Sequence, residues 1–170
     1  ELTQYKLPTC PTSKVESVWI EVAKNNKKYI IGGVYRHPNQ NITKFKLSID
    51  SILSKISRQK HKCFIVGDFN SDLTKCVKSK DTAAYIDEIL LNNFLPTVVM
   101  PTRITQNTAT LIDHIYYYEG HNNDSCTALV KSGNILSDIS DHLPNYIILY
   151  KRAATECNKR PLIRIFSLKK

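Results

Sequence analysis

Three short segments of the 170-residue sequence combine residue types that could do chemistry, and each lies where an apolar run ends. The first, residues 67–70 (Gly-Asp-Phe-Asn), places a carboxylate and an amide two positions apart. Asp68 can take a proton from water, and Asn70 can orient a phosphate oxygen or a metal-bound water. An Asp-x-Asn pattern after a strand is also typical of a turn whose side chain bonds its own backbone. The segment alone therefore leaves both interpretations open.

The second segment, residues 111–115 (Leu-Ile-Asp-His-Ile), sets an acid inside an apolar strand. A charge in such surroundings is costly unless it has a partner, and a histidine or an arginine is the usual one. Strand alternation puts Asp113 on the face of Ile115 and His114 on the opposite face. We therefore expect Asp113 to pair with another residue, and His114 to be a hydrogen-bonded structural histidine.

The third segment, residues 137–144 (Ser-Asp-Ile-Ser-Asp-His-Leu-Pro), lies in a loop that enters the last predicted strand. Asp141 and His142 are adjacent, so their side chains should diverge. One of them can bind a metal while the other faces a substrate phosphate. An Asp-His pair is weak as a single signal, but the three segments in this order are a much stronger one.

The elements that position these segments indicate an α/β fold in which helices cover a sheet. Apolar alternation predicts a hairpin of strands 15–22 and 29–35, with Gly32-Gly33 as a bulge or a close backbone approach. Residues 1–14 are predicted to be irregular. Further strands are predicted at 62–68, 110–118, 126–131 and 146–150. One helix carries the stripe Phe45, Ile49, Ile52, Leu53 and Ile56 and is capped by Asn41 or Thr43; a second spans about 82–93, with Ile86, Ile89 and Leu90 facing inward.

Composition narrows the class of protein. The length suits one domain, and no apolar run reaches the ~18 residues of a membrane helix, so no membrane partner is expected. The five cysteines show no metal-binding spacing or disulfide framework, which favours a reducing compartment, and so the nucleus or the cytoplasm. Residues 151–170 carry a net charge of +6 and residues 1–150 only +3. This basic tail could hold phosphate backbones, or it could be a solvated linker.

The motifs GDFN (67–70), LIDHI (111–115) and SDHLP (140–144) together resemble the endonuclease/exonuclease/phosphatase superfamily of deoxyribonuclease I and the apurinic endonucleases. With Pro-Thr-Arg at 101–103 and VYRHPN at 34–39, the sequence is most similar to the endonuclease domains of non-LTR (LINE-type) retrotransposons. The resemblance covers about 15–150 and implies a four-layer α/β/β/α sandwich of two mostly antiparallel sheets. It makes 1–14 an irregular N-terminal segment and 151–170 a linker toward a fused reverse transcriptase.

The resemblance also implies roles for individual residues. Asp68 would orient or deprotonate the attacking water, with support from Asn70. Asp113 would hold the imidazole of His142, which stabilises charge on the phosphorus centre. The remaining implied site residues are Tyr35 near the scissile phosphate, Asp141 and Asp68 at a Mg²⁺ site (Mn²⁺ as an alternative), and Thr102, Ser140 and Arg36 as substrate contacts.

The sequence departs from the family pattern at its start, since nothing before Val22 matches the Asn and Glu that open the family's metal site. The first residue is Glu1 and the one methionine is Met100, so we expect an N-terminally truncated chain. The resemblance implies a Mg²⁺-dependent endonuclease that nicks target DNA. Two alternatives remain, a sphingomyelinase-like phosphodiesterase and an inactive relic that binds nucleic acid. Inositol phosphatases are disfavoured, because Val66 and Leu111 to His114 replace their tryptophan-containing motifs.

Overall fold

A computed structural model describes residues 1–6, 15–121 and 129–150 of the chain. Its main sheet has six strands in the order β1-β2-β3-β4-β8-β5. The pairing of β3 with β4 is parallel, and every other pairing in this sheet is antiparallel. The strands are β1 (Leu2–Gln4), β2 (Glu16–Lys24), β3 (Lys27–Tyr35), β4 (Lys62–Asp68), β5 (Leu95–Pro96) and β8 (Asp113–Tyr118).

Two helices pack side by side on one face of this sheet. Helix α1 (Ile42–Ile56) begins after Asn41, whose side chain accepts a hydrogen bond from the backbone of Lys44, so the predicted cap is confirmed. Helix α2 (Lys80–Leu91) begins two residues earlier than expected, because Ser79 caps it. The core between helices and sheet contains the whole predicted α1 stripe. In α2, Ile89 is buried as expected, but Leu90 is 43% exposed and Tyr85 takes the inner position.

The predicted hairpin of β2 and β3 is confirmed, and its glycines allow a close approach without a bulge. The pairing runs without interruption from Glu16–Tyr35 to Lys24–Lys27. A Cβ atom at Gly32 would lie 2.4 Å from the Trp19 ring, so only glycine lets that indole lie flat on β3. Residues 1–14 were expected to be irregular; this is wrong for β1, which extends the sheet by pairing with β2. Residues 7–14 lie outside the described part.

Two smaller sheets complete the described fold. Strands β9 (Leu129–Asn134) and β10 (Asn145–Tyr150) form an antiparallel pair, and β10 contacts β8 of the main sheet. Strands β6 (Arg103–Ile104) and β7 (Ala109–Thr110) form a short hairpin. The predicted strand 110–118 is therefore two strands, separated at Leu111 and Ile112. The predicted strand 126–131 is described only from residue 129 onward, and the basic tail lies outside the described residues.

The predicted α/β class is confirmed, because the described residues combine two α-helices with a six-stranded sheet and smaller two-stranded sheets. No helix within the described ranges has the length and apolar character needed to cross a membrane.

Candidate active site

The site forms at one end of the main sheet, where three neighbouring strands carry functional residues. Asp68 is the last residue of β4 and lies directly opposite Asp113, the first residue of β8. Residues directly opposite in an antiparallel pair project from the same face of the sheet. Tyr35 ends β3 beside them and is 39% exposed, with its ring edge-to-face against His37. Strand register alone thus brings Tyr35, Asp68 and Asp113 to the same end of the main sheet.

Asp113 and His142 make the contact that the sequence predicts, although 28 residues separate them. The His142 Nδ1 atom lies 3.0 Å and 3.1 Å from the two Asp113 carboxylate oxygens. Both side chains are partly buried, with 17% of Asp113 and 35% of His142 exposed. Because an ionised carboxylate only accepts hydrogen bonds, this contact places a proton on Nδ1. The other ring nitrogen, Nε2, is then the one that can act on a ligand.

Thr102 fixes the position of Asp113 and has no exposed surface. Its hydroxyl donates to the Asp113 carboxylate at 2.7 Å and accepts from the backbone N–H groups of Asp113 and Ile112. Its carbonyl accepts from the backbone N–H of Leu143, next to His142. A hydroxyl that is buried with three partners does not reach a phosphate. The expected substrate contact is therefore corrected to a positioning role.

Arg36 is also placed differently from the sequence expectation. It is 5% exposed, and its guanidinium donates to the carbonyls of Phe69, Gln40 and Asn70. Burial lowers the pKa of Arg36, as expected for a cation removed from water. All of these contacts lie within the protein, so Arg36 shapes the GDFN loop from behind and is not an exposed substrate contact.

The GDFN loop itself turns sharply. Asn70 has φ of 46°, in the left-handed region that Asn tolerates, and its backbone N–H donates to the Asp68 carboxylate at 2.9 Å. Its side-chain Nδ2 donates to the carbonyl of Arg36. The turn predicted at GDFN is therefore part of the candidate site, because it fixes the positions of Asp68 and Asn70 at the C-terminal end of β4.

Asp141 and His142 diverge as expected. The Asp141 carboxylate accepts a hydrogen bond from Arg103 Nε at 2.7 Å, and this contact lowers the pKa of Asp141. The neighbouring Ser140 is exposed, and its hydroxyl accepts from the backbone N–H of His142. The Asp141 carboxylate is thus paired with Arg103. The sequence predicts Asp141 as a metal ligand and does not indicate this ion pair.

Comparisons with known proteins agree with this arrangement. Residues 2–142 match the Endonuclease/Exonuclease/phosphatase family. The chain belongs to this family. No curated protein matches the sequence.

The fold is similar to several solved structures. The endonuclease domain of TRAS1, a telomere-specific non-LTR retrotransposon, is 14% identical with a TM-score of 0.60, over 86% of this chain and 65% of that one. A Staphylococcus aureus beta toxin with bound magnesium ions is 14% identical with a TM-score of 0.53, over 77% and 56%. The inositol polyphosphate 5-phosphatase domain of SPsynaptojanin is 13% identical with a TM-score of 0.51, over 88% and 54%. The chain spans less than two thirds of the length of each.

In the part of the chain that the structure describes, one group of side chains has the chemistry to hold a divalent cation. Donor atoms of Asp68, Asp113 and His142 all lie within 4.8 Å of one another. Two carboxylates directly opposite each other repel unless a cation or a proton lies between them. Carboxylate oxygens are the ligands that Mg²⁺ prefers. The residues present therefore fit a divalent cation, and the group includes Asp68 but not Asp141.

Behind the site, His114 lies in the core as the sequence predicts. Its Nδ1 is 2.7 Å from the Tyr116 hydroxyl, which is 3.0 Å from the Tyr85 hydroxyl on α2. The Phe69 ring stacks on the imidazole with centroids 4.9 Å apart. Burial lowers the pKa of His114 to about 4, so the ring is neutral at physiological pH. His114 thus links the GDFN loop to the helix layer.

Proposed function

We propose that this protein is a Mg²⁺-dependent endonuclease that nicks target DNA during non-LTR retrotransposition. One observation carries the proposal: the Asp113–His142 pair lies beside Asp68 at one end of the main sheet, and both side chains of the pair are partly buried. A nuclease site needs a group that activates water and a group that stabilises charge on a phosphate. Asp68 and His142 are suited to those two roles.

The Asp113–His142 pair is suited to proton transfer at a defined atom. With a proton fixed on Nδ1, the neutral imidazole presents Nε2 as an acceptor, and the protonated imidazole presents it as a donor. In the protonated form, Nε2–H stabilises negative charge on a phosphoryl oxygen, while Asp113 offsets the charge on the ring. Asp68 has one oxygen engaged by Asn70 and can take a proton from an attacking water through the other.

Asp68 and Asp113 are the residues that would hold the cation. When bound, Mg²⁺ supplies positive charge that polarises the phosphoryl group and eases departure of the leaving oxygen. Asp68 is the more available of the two carboxylates, because both Asp113 oxygens lie next to His142 and one also accepts from Thr102. We expect Asp68→Asn to weaken binding of the metal more than it alters the fold.

The choice of DNA as substrate rests on the similarity to the TRAS1 endonuclease domain and on the basic tail. A net charge of +6 over residues 151–170 would hold a phosphate backbone in a salt-dependent way. The proposal places the protein inside the cell, fused to a reverse transcriptase that uses the nicked end as a primer. A sphingomyelinase-like phosphodiesterase and an inactive nucleic-acid-binding relic are the alternatives that an experiment must separate.

Nicking of supercoiled plasmid separates these three functions. We expect the chain to relax plasmid with Mg²⁺, to lose this activity in EDTA, and to lose at least 100-fold in rate in His142→Ala. Asp87→Asn, on the exposed side of α2, is the matched control for loss of a carboxylate and should leave the rate unchanged. Plasmid binding without nicking would identify the relic. Hydrolysis of sphingomyelin vesicles without nicking would identify the lipid phosphodiesterase.

Metal binding has its own readout. We expect Mg²⁺ to raise the melting temperature of the wild-type chain by mass action and to leave that of Asp68→Asn almost unchanged. An equal rise in both proteins would place the metal elsewhere.

A further inference from the structure

Backbone contacts hold Arg103 directly beside the catalytic pair. Arg103 lies opposite His142 in an isolated antiparallel bridge. On one side of this bridge, the backbone N–H of Leu143 donates to the Thr102 carbonyl at 2.7 Å. On the other side, the N–H of the residue after Arg103 donates to the Asp141 carbonyl at 2.8 Å. Since side chains at opposite positions of an antiparallel pair begin about 5 Å apart, the Arg103 side chain begins next to the imidazole.

An ion pair fixes which side of the Arg103 guanidinium faces a ligand. Its Nε donates to the Asp141 carboxylate at 2.7 Å, and this side chain makes no other hydrogen bond within the described residues. A guanidinium carries its N–H donors in a rigid planar fork, so the donors on both Nη atoms remain available. With 44% of the side chain exposed, a ligand in solvent can reach them.

The pair of Arg103 with Asp141 adds little to the stability of the fold, because both side chains are largely in contact with water. Arg36 is a contrast, since all three of its guanidinium nitrogens bond backbone carbonyls. Arg58, the third arginine that the structure describes, is exposed in the turn between α1 and β4, at the other end of the sheet. Among these three, Arg103 alone combines exposure with a fixed orientation and a position beside His142.

The available donors of Arg103 suit a phosphate of a nucleic-acid strand. Two Nη atoms can give parallel hydrogen bonds to one phosphate, which a lysine ammonium cannot do. Because Asp141 already holds the side chain in one geometry, less conformational entropy is lost when the phosphate binds. The side chains of Asp141 and His142 diverge, so a guanidinium that is paired with Asp141 is displaced from the imidazole. Two successive phosphates of one strand fit these two groups better than a single phosphate does.

We propose that Arg103 binds a DNA phosphate adjacent to the phosphate on which His142 acts. Asp141 is the positioning residue for this contact, because it fixes the guanidinium through Nε. The role of His142 rests on the proposed nuclease function, whereas the contact of Arg103 with DNA needs no metal ion. Binding and cleavage can therefore be tested separately.

Binding is measured with the full chain in EDTA, by the fluorescence anisotropy of a labelled 20-base-pair duplex over a range of salt concentrations. Arg103→Gln should lower the salt slope of log affinity by about 0.9, the contribution of one duplex phosphate contact, and weaken binding about 10-fold. Arg103→Lys keeps the charge but loses the fork, so it should restore the slope without restoring the full affinity. The matched control is Arg58→Gln, which should change neither quantity. Equal losses in Arg103→Gln and Arg58→Gln would overturn the proposal, since binding would then reflect net charge alone.

Cleavage kinetics with Mg²⁺ test which phosphate Arg103 contacts. Bis-p-nitrophenyl phosphate has a single phosphate, whereas plasmid has a phosphate on each side of the one that is cleaved. Arg103→Gln should therefore raise the KM for plasmid at least ~5-fold more than the KM for the small diester. An equal rise for both substrates would overturn the assignment to an adjacent phosphate. A wild-type chain that cleaves neither substrate would refute the nuclease function, and the anisotropy measurement would still decide whether Arg103 contacts DNA. Circular dichroism shows that each variant is folded before it is assayed.

Discussion

Replacement of Thr102 by valine tests the claim that one buried hydroxyl positions the catalytic pair. Valine has nearly the shape of threonine, but its second methyl group can neither donate nor accept. The change leaves two backbone N–H groups, those of Ile112 and Asp113, without their 3.2 Å and 2.9 Å partner. It also removes the 2.7 Å hydrogen bond to the Asp113 carboxylate.

The expected cost follows from these three contacts. A buried polar group that loses its partner costs about 1–3 kcal/mol, so two N–H groups together cost about 2–6 kcal/mol. This is a large part of the 5–15 kcal/mol typical of a folded domain. Thr102→Ser is the matched control, because it keeps the hydroxyl and removes one methyl group, for about 1 kcal/mol. Urea unfolding followed by circular dichroism measures both variants.

The same variants separate positioning from stability. Because Asp113 would no longer be held toward His142, Thr102→Val should nick plasmid at least tenfold more slowly than Thr102→Ser, at a temperature where both are folded. If Thr102→Val and Thr102→Ser unfold at the same urea concentration and nick equally fast, the hydroxyl does not hold the pair, and the assignment of Thr102 as a positioning residue is wrong.

Three other changes probe the rest of the fold. Gly67→Ala should lower the free energy of unfolding in urea by about 3 kcal/mol or more, because φ of Gly67 is +154° and a Cβ would lie 1.8 Å from the Val34 carbonyl oxygen. The control is Gly133→Ala, where the nearest atom is a tyrosine hydroxyl oxygen at 3.1 Å and the loss should be clearly smaller. Arg36→Lys keeps the charge, but its single ammonium nitrogen cannot reach the three carbonyls that three guanidinium nitrogens contact. We expect a loss of about 2–3 kcal/mol in the same assay, and an unchanged stability would contradict the structural role of Arg36. Buried His114 has a pKa of about 4, whereas the same side chain in the unfolded chain has an ordinary pKa near 6.5. Between pH 6.5 and 4 the unfolded chain therefore binds a proton that the folded chain does not bind, and stability should fall by up to about 3 kcal/mol as the pH decreases. The free energy of unfolding should depend less on pH in His114→Gln, and an identical slope would contradict this.

Long periodic segments could be predicted from the sequence, and short ones could not. The five-residue stripe of α1 and its cap at Asn41 specify that helix almost completely. Strands β5, β6 and β7 have two residues each, too few to show any alternation. The predicted strand 110–118 breaks because the backbone N–H of Leu111 bonds Asp72 and that of Ile112 bonds Thr102. Contacts across 39 and 10 residues leave no local pattern.

The residues of the candidate site also divide into some that could be predicted from the sequence and some that could not. That Asp113 has a partner could be predicted because an acid in an apolar strand requires one, and the resemblance to the family implied that His142 is this partner. The bracing by Arg36 depends on carbonyls 33 and 34 residues away, and the pairing of Arg103 with Asp141 spans 38 residues. For the Arg36 contacts, the one signal in the sequence is an arginine directly after a predicted strand. Nothing in the sequence separates a cation that binds substrate from a cation that binds the protein itself.

The placement of the two carboxylates supports the proposed metal site. At the C-terminal end of β4, Asp68 and Asp113 lie directly opposite each other, and a divalent cation between them would relieve their repulsion. This pair does not favour folding, since like charges at opposite register positions destabilise a sheet. The carboxylate pair therefore supports the proposal that the folded chain binds a divalent metal at this end of the sheet.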